Sequence, residues 1–250
     1  MISIELKDDV LAITIRRPEK KNALLPVMYK DMAIALESVL AQEAKVVLIQ
    51  GCNGVFTSGN DLSSFAHATE QADIEDTHRF MMALMDCPIP VVAKVQGLAI
   101  GIGTTMLLHC DFVFANSNTK FAMPFINLAL VPEYASSFIL PKISGRLLAN
   151  KLLMLGDVFD ANTAKDAGLV SELIDDGIDE QVDVLLKCIA SKPQQAMVQT
   201  KKLLNSEVEK VREHINRELA LFIRAMNSAP AKEAFSAFLE KRPVDHSIFR

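Results

Sequence analysis

Residues 91–105 read VVAKVQGLAIGIGTT, and the order of residue types in them decides the fold class. Val91–Val95 is a short apolar run rich in β-branched residues, the composition of a strand buried on both faces. Gly97, Gly101 and Gly103 then open a loop, and Thr104–His109 takes up helical spacing. A buried strand that runs through a glycine loop into a helix is the repeating step of a parallel α/β layer. Backbone N–H groups at such a helix start can stabilise developing negative charge. The glycines serve equally to let the helix approach the sheet. A dinucleotide fingerprint fits less well, because Gly101 and Gly103 lack the third glycine of GxGxxG.

The same step occurs upstream. Lys45–Gln50 (KVVLIQ) is another β-branched run, closed by Gly51, and the loop Cys52–Leu62 follows it. Within that loop, Phe56-Thr57-Ser58-Gly59-Asn60-Asp61-Leu62 sets a glycine beside residues that tolerate unusual backbone angles, so it can aim an N–H at a ligand. On composition it also reads as a solvated turn. Further out, Ile2–Ile15 predicts two short strands around Asp8-Asp9, and Pro26–Leu40 a helix. Glu75–Met85 predicts a helix stopped by Cys87-Pro88-Ile89-Pro90, Phe112–Ala115 a strand, and Ala149–Leu155 a helix. From Asp179 the strand pattern ends. Helical spacing over Gln181–Ala190 and Pro193–Met226 predicts a helical C-terminal region packed on the first domain or on a neighbouring subunit. The expected division is an α/β core over 1–178 and a helical region over 179–250.

With 250 residues, half of them hydrophobic, the chain can bury a substantial core. Its 26 basic and 31 acidic residues give a net charge of -5, which offers no footprint for nucleic acid or an anionic membrane. Cys52, Cys87, Cys110 and Cys188 stand singly, without zinc-site spacing, and read as reduced thiols. The start MISIELKDDVLAITI alternates as a strand does, and the apolar stretch Pro88–Leu108 is interrupted by Lys94, Gln96 and glycines. A cytoplasmic location is expected.

Together the two loops resemble those of the enoyl-CoA hydratase/isomerase family, the crotonase superfamily, and further landmarks agree in order along nearly the whole chain. RPEKKNAL is similar to the family's Arg-Pro-x-x-x-Asn-Ala-Leu segment, FTSGNDL to its first oxyanion loop and VQGLAIGIG to its second. CDFVFA is similar to its Cys-Asp strand, FAMPFINLALVPEYASSFILPKISG to its active-site segment, GDVFDANTAKDAGLVSELI to the segment after it, and AFLEKRP to its terminal helix. The resemblance implies a crotonase-like core, a spiral of repeated ββα units, followed by C-terminal helices at the interface of a homotrimer or dimer of trimers. It implies an acyl-CoA thioester as substrate, with coenzyme A as part of the substrate and no separate cofactor or metal. It also implies two backbone oxyanion donors, which fall here on Asn60 and Ile102. Ser58, Gly59, Asn60, Asp61, Leu62, Gly101, Ile102 and Phe125 are the expected substrate-binding residues. Each fixed donor facing an enolate oxygen is worth about 10²- to 10³-fold in rate.

The family's hydratases carry two glutamates, at positions occupied here by Thr105 and by Phe125 after Pro124. Both carboxylates are absent, which argues against hydration by that route; His109, on the second loop's helix, reads as a core residue or a water-holding one. Another carboxylate, Glu133, lies in LVPEYASS. On its own it reads as a cap of the following helix. PEYASSFILPKI, however, is similar to the segment in which peroxisomal-type Δ3-Δ2 enoyl-CoA isomerases carry their single catalytic glutamate, and SGNDL is similar to their first loop. By that resemblance Glu133 is the acid/base, its basicity raised by an apolar surround such as Phe125, Leu130 and Ile139. The basic run Arg16, Arg17, Lys20, Lys21, with Lys241 and Arg242, is either a contact for coenzyme A phosphates or a solvated charge run. A hydratase, a hydrolase and a non-catalytic acyl-CoA binder remain the alternative functions.

Overall fold

The computed structural model describes residues 1–65 and 74–249, so residues 66–73 of the expected core and residue 250 of the expected helical region lie outside the described residues. Strands β1 (Ile2–Lys7) and β2 (Val10–Ile15) pair antiparallel, with Ile2 opposite Ile15 and Lys7 opposite Val10. Asp8 and Asp9 both adopt left-handed backbone, φ 50° and 65°, which is the two-residue turn whose twist matches a hairpin. Strands β3 (Val46–Gly51), β4 (Val91–Val95), β5 (Leu98–Ile100), β6 (Phe112–Ala115), β7 (Lys120–Ala122), β8 (Phe159–Asp160) and β9 (Glu172–Leu173) follow. They form two sheets, of order β1-β2-β3-β4-β6-β9 and β5-β7-β8. Apart from the hairpin, the large sheet is parallel throughout. Successive turns of the chain feed both sheets: β4 and then β5, β6 and then β7. This is the expected spiral.

Alternation along the parallel strands divides their side chains between two apolar layers. Val47 and Ile49 of β3 and Val91, Ala93 and Val95 of β4 join the larger core, with Leu11, Met28, Phe80 and Met106. Val46, Leu48 and Val92 face the other way. That second face is covered by the helix Ile178–Ala190, whose Ile178, Val182, Leu186 and Ile189 recur at helical spacing. Burying each of these contributes about 1.5–3 kcal/mol. The later helices close on the larger core: Ile215, Phe222 and Met226 from Val208–Met226, and Ala231 and Phe235 from Ala229–Glu240. The C-terminal region therefore packs on the core of its own chain. Lys201 locks it further, donating from a buried position to the Asp111 carboxylate at 2.6 Å and to the Ile89 carbonyl at 2.8 Å.

Two expectations need correction. Pro193–Met226 is not one helix; it breaks into Gln194–Leu204 and Val208–Met226. The other concerns Glu133, whose side chain does not cap the next helix, Ser136–Ser144; that helix starts at Ala135 without a cap from Glu133. No helix among the described residues is long and apolar enough to cross a membrane.

Candidate active site

The first loop is shaped by Asn22, a buried residue in left-handed backbone, φ 58°. Its side chain donates to the carbonyls of Cys52 (3.1 Å) and Val55 (2.6 Å), and its carbonyl accepts from the Thr57 hydroxyl at 2.7 Å. The Asn of RPEKKNAL thus ties the hairpin's exit to the loop. Gly59 follows at φ 85°, and its N–H donates to Thr57 Oγ1 at 3.1 Å. A Cβ on Gly59 would lie 2.6 Å from the Ile100 carbonyl, and one on Gly103 would lie 2.5 Å from Thr57 Cγ2. Glycine at these two positions is what lets the two loops touch. Their backbones pair, Thr57 N–H donating to Leu98 O and Ile100 N–H to Thr57 O, at 3.0 and 3.1 Å.

Gly101, at φ 57° and ψ -123°, turns β5 into the short helix Ile102–Thr105, while its N–H donates to Ala122 O at 2.8 Å. Asn60 and Ile102 both line one cavity of about 860 Å³. Neither residue's N–H donates to an acceptor among the described residues. The side chain of Asn60 is itself fixed, accepting from the Tyr29 hydroxyl at 2.5 Å. Burial, and next to it the Glu133 carboxylate, push the Tyr29 pKa well above its ordinary value and keep it a neutral donor.

All eight expected substrate-binding residues line this cavity: Ser58, Gly59, Asn60, Asp61, Leu62, Gly101, Ile102 and Phe125. Leu128, Leu130, Phe222 and Phe238 give it apolar walls, and Phe125 meets Phe222 edge to face at 6.3 Å. The basic residues divide. Lys20, Lys21, Lys241 and Arg242 line the cavity, whereas Arg17 turns to Asp61 at 2.6 Å and Arg16 is not on the wall. Arg242 is bound to Glu233 and Glu240. Lys20, Lys21 and Lys241 form no ion pair among the described residues, so they are the wall's unneutralised cations.

Glu133 is not among the lining residues and is 5% exposed. Its Oε1 accepts from the Thr105 hydroxyl at 2.5 Å, and no donor among the described residues engages Oε2. Burial pushes its pKa up to about 8; the Thr105 hydrogen bond opposes this, and the Glu218 carboxylate adds to it. Thr105, at a position where hydratases carry a carboxylate, here holds the other carboxylate in place. After Glu133 the chain passes through two left-handed residues, Tyr134 (φ 60°) and Ala135 (φ 55°), before the helix Ser136–Ser144 begins. Such backbone costs on the order of 1–3 kcal/mol per residue and persists only where its surroundings hold it. The holders are the Ser136 hydroxyl, donating to Glu133 O at 2.6 Å, and the Tyr134 hydroxyl, donating to Met81 O at 2.9 Å. His109 belongs to the same support: it stacks on Tyr134 at 3.9 Å and bonds the Tyr134 carbonyl at 2.9 Å. Burial lowers its pKa to about 4, so it is neutral and serves as a packing residue.

The sequence reading did not find Asn22, Tyr29 or Glu218 as contributors to the site. Asn22 is the Asn of RPEKKNAL, and that motif is its signal in the sequence. Tyr29 and Glu218 reach the site through tertiary contacts from helix faces and leave no local signal. Among the described residues no cluster of His, Cys, Asp and Glu is arranged to hold a metal ion.

Residues 5–247 match the enoyl-CoA hydratase/isomerase family. Enoyl-CoA delta isomerase 2 of Rattus norvegicus is 31% identical over 250 residues, covering 97% of this chain, and the chain spans 64% of that protein's length. The 2,3-dehydroadipyl-CoA hydratase of Escherichia coli is 29% identical over 240 residues and 94% of each chain. Among solved structures, that of Pseudomonas aeruginosa OdaA superposes with a TM-score of 0.91 at 40% identity, covering 95% of this chain and 98% of the other. By the match over residues 5–247 and the fold that carries it, the chain belongs to the enoyl-CoA hydratase/isomerase family.

Proposed function

We propose that the protein is a Δ3-Δ2 enoyl-CoA isomerase, an intramolecular oxidoreductase that moves a carbon–carbon double bond. The observation that carries the reading is the carboxylate of Glu133, buried and basic, while Thr105 and Phe125 occupy the positions of a hydratase's two glutamates. The likeness to a protein named enoyl-CoA delta isomerase supports it. In the cavity the thioester oxygen sits between the N–H groups of Asn60 and Ile102. Glu133, held through Oε1 by Thr105, uses Oε2 to take a proton from C2 of a 3-enoyl-CoA. The C2–H electrons form a C1=C2 bond, C3=C4 stays in place, and the negative charge of this dienolate collects on the thioester oxygen. The same carboxylic acid returns the proton to C4: the C3=C4 electrons form the C4–H bond, C2=C3 forms and the carbonyl is restored, giving trans-2-enoyl-CoA. A base with pKa near the working pH suits both halves of this transfer. The chemistry draws on no metal or redox cofactor.

Lys20, Lys21 and Lys241 are then the contacts for the phosphates of coenzyme A, and the walls formed by Phe125, Leu130 and Phe222 receive the acyl chain. The reading includes a homotrimer or dimer of trimers, supported by apolar side chains left exposed on the C-terminal helices, such as Leu203, Leu204 and Phe238. It also includes a cytoplasmic location, in keeping with four unpaired cysteines. The test is product analysis. Incubation with 3-hexenoyl-CoA should give trans-2-hexenoyl-CoA, and crotonyl-CoA should gain very little water. Rapid hydration of crotonyl-CoA with no isomerisation of 3-hexenoyl-CoA would replace this reading with a hydratase.

A further inference from the structure

Glu218 is a buried carboxylate that the proposed reaction does not use. It sits on the helix Val208–Met226 among Ile215, Leu219 and Phe222, residues that face the interior, and is itself 5% exposed. An amphipathic helix places an apolar side chain at such a position unless a polar one is needed there. Glu218 Oε1 accepts from the Ser137 N–H at 3.1 Å and from the Ser137 hydroxyl. It therefore caps the start of the helix Ser136–Ser144, the one that follows Glu133 and the left-handed pair Tyr134-Ala135. Its second oxygen, Oε2, is buried with no hydrogen-bond partner among the described residues. An oxygen left so is costly for a cap alone, about 1–3 kcal/mol. One turn further along the helix, Phe222 packs on Phe125 in the wall of the cavity. A single helix thus touches both the acyl wall and the segment that carries the base.

We propose that Glu218 is a positioning residue of the active site: from the C-terminal helix it caps the Glu133 segment and couples the protonation of the base to its own negative charge. The inference rests on the reading of Glu133 as the base. Four residues besides Glu218 face or brace Glu133. Thr105 donates to it, Tyr29 and Tyr134 are buried tyrosines whose pKa values are raised well above the ordinary value, and His109 is a neutral imidazole. His214, on the same helix as Glu218, stacks on Phe138. Burial raises the Glu218 pKa, and the Ser137 donors and His214 oppose that rise. A negative charge on Glu218 makes the Glu133 proton harder to remove.

The experiment follows Glu133 directly, without substrate, by carbon-13 NMR of protein labelled at the glutamate side-chain carboxyl, with Glu133→Gln identifying the resonance. Glu218→Gln keeps an acceptor for Ser137 and removes the charge. The midpoint of Glu133 should fall by roughly half a unit or more, in line with loss of a nearby like charge. An unmoved midpoint would overturn the proposal. In the unsubstituted protein the two carboxyls should titrate as a pair, the Glu133 resonance showing a second inflection at the midpoint of Glu218. A single inflection would overturn it equally, and this measurement stands even where Glu218→Gln does not fold. Glu218→Ala, which also loses the cap, should lower kcat by about 10²-fold with acyl-CoA binding retained. A plain structural cap would lower thermal stability alone. Failure of the isomerase reading is seen separately, as absence of 2-enoyl-CoA from the unsubstituted enzyme.

Discussion

Replacing Thr105 by valine removes one oxygen and leaves the volume of the side chain nearly unchanged, so it isolates the hydrogen bond to Glu133. That bond is 2.5 Å long and buried, and it favours the ionised carboxylate. A hydrogen bond to a charged group contributes about 1.5–3 kcal/mol, equivalent to about one to two pKa units at 1.36 kcal/mol per unit. Glu133 starts from about 8. In the valine variant it should therefore titrate near 9 to 10, by the same conversion. At pH 7 the ionised fraction of the base falls from roughly one in ten to between one in 10² and one in 10³, again by that conversion. The expected result is a 10- to 100-fold loss in kcat/KM at pH 7, recovered as the pH rises. The assay is the pH profile of 3-hexenoyl-CoA isomerisation between pH 6 and 10, with Thr105→Ser as the variant that keeps the hydroxyl. An acid limb at the same pH in the wild type and in Thr105→Val would refute the reasoning.

Two further substitutions probe the loops and the energetic cost of the base. Gly59→Ala sets a Cβ 2.6 Å from the Ile100 carbonyl at a residue with φ 85°, so it should part the loops and lower kcat by about 10²- to 10³-fold, the worth of one oxyanion donor. Gly54→Ala, at φ 69° with open space around it, should keep its activity, and equal losses in the two variants would sink the argument from close approach. Glu133→Gln should be more heat-stable than the wild type. The folded protein keeps the Glu133 proton up to about 8 while the unfolded chain gives it up near 4.5, so wild-type stability falls as pH rises through that window and levels off above it. The melting-temperature advantage of Glu133→Gln should accordingly be small at pH 4.5, grow to pH 8 and reach the equivalent of a few kcal/mol. An advantage that does not change with pH would contradict the assigned burial.

The elements that the sequence made legible are those whose signal is local. The hairpin turn at Asp8-Asp9, the helix Glu75–Met85 and the strands Val91–Val95 and Phe112–Ala115 lie where period and punctuation put them. Strands β5, β7, β8 and β9 are two or three residues long and exist only through their partners across the sheet, so no window of sequence reveals them. The helix Ser136–Ser144 carries Pro141 in its interior, which reads as a stop, and the break after Leu204 has neither glycine nor proline to mark it. For the site the contrast is the same. Gly59, Gly101 and Gly103 announce their loops because close approach demands glycine. Glu133 stands out only through the family resemblance, since a lone Pro-Glu also suits a helix start. Its partners Tyr29, Thr105 and Glu218 come from three separate helices, and nothing in their spacing shows that the fold gathers them around one carboxyl.

The measurement that bears most directly on the account is steady-state isomerisation of 3-hexenoyl-CoA by Glu133→Gln, run beside equilibrium binding of an acyl-CoA. With the sole acid/base removed and the oxyanion loops intact, turnover should fall by at least about 10²- to 10⁴-fold while the dissociation constant stays close to that of the wild type. Near wild-type turnover in Glu133→Gln, with binding retained, would contradict the assignment of Glu133 as the group that carries the proton.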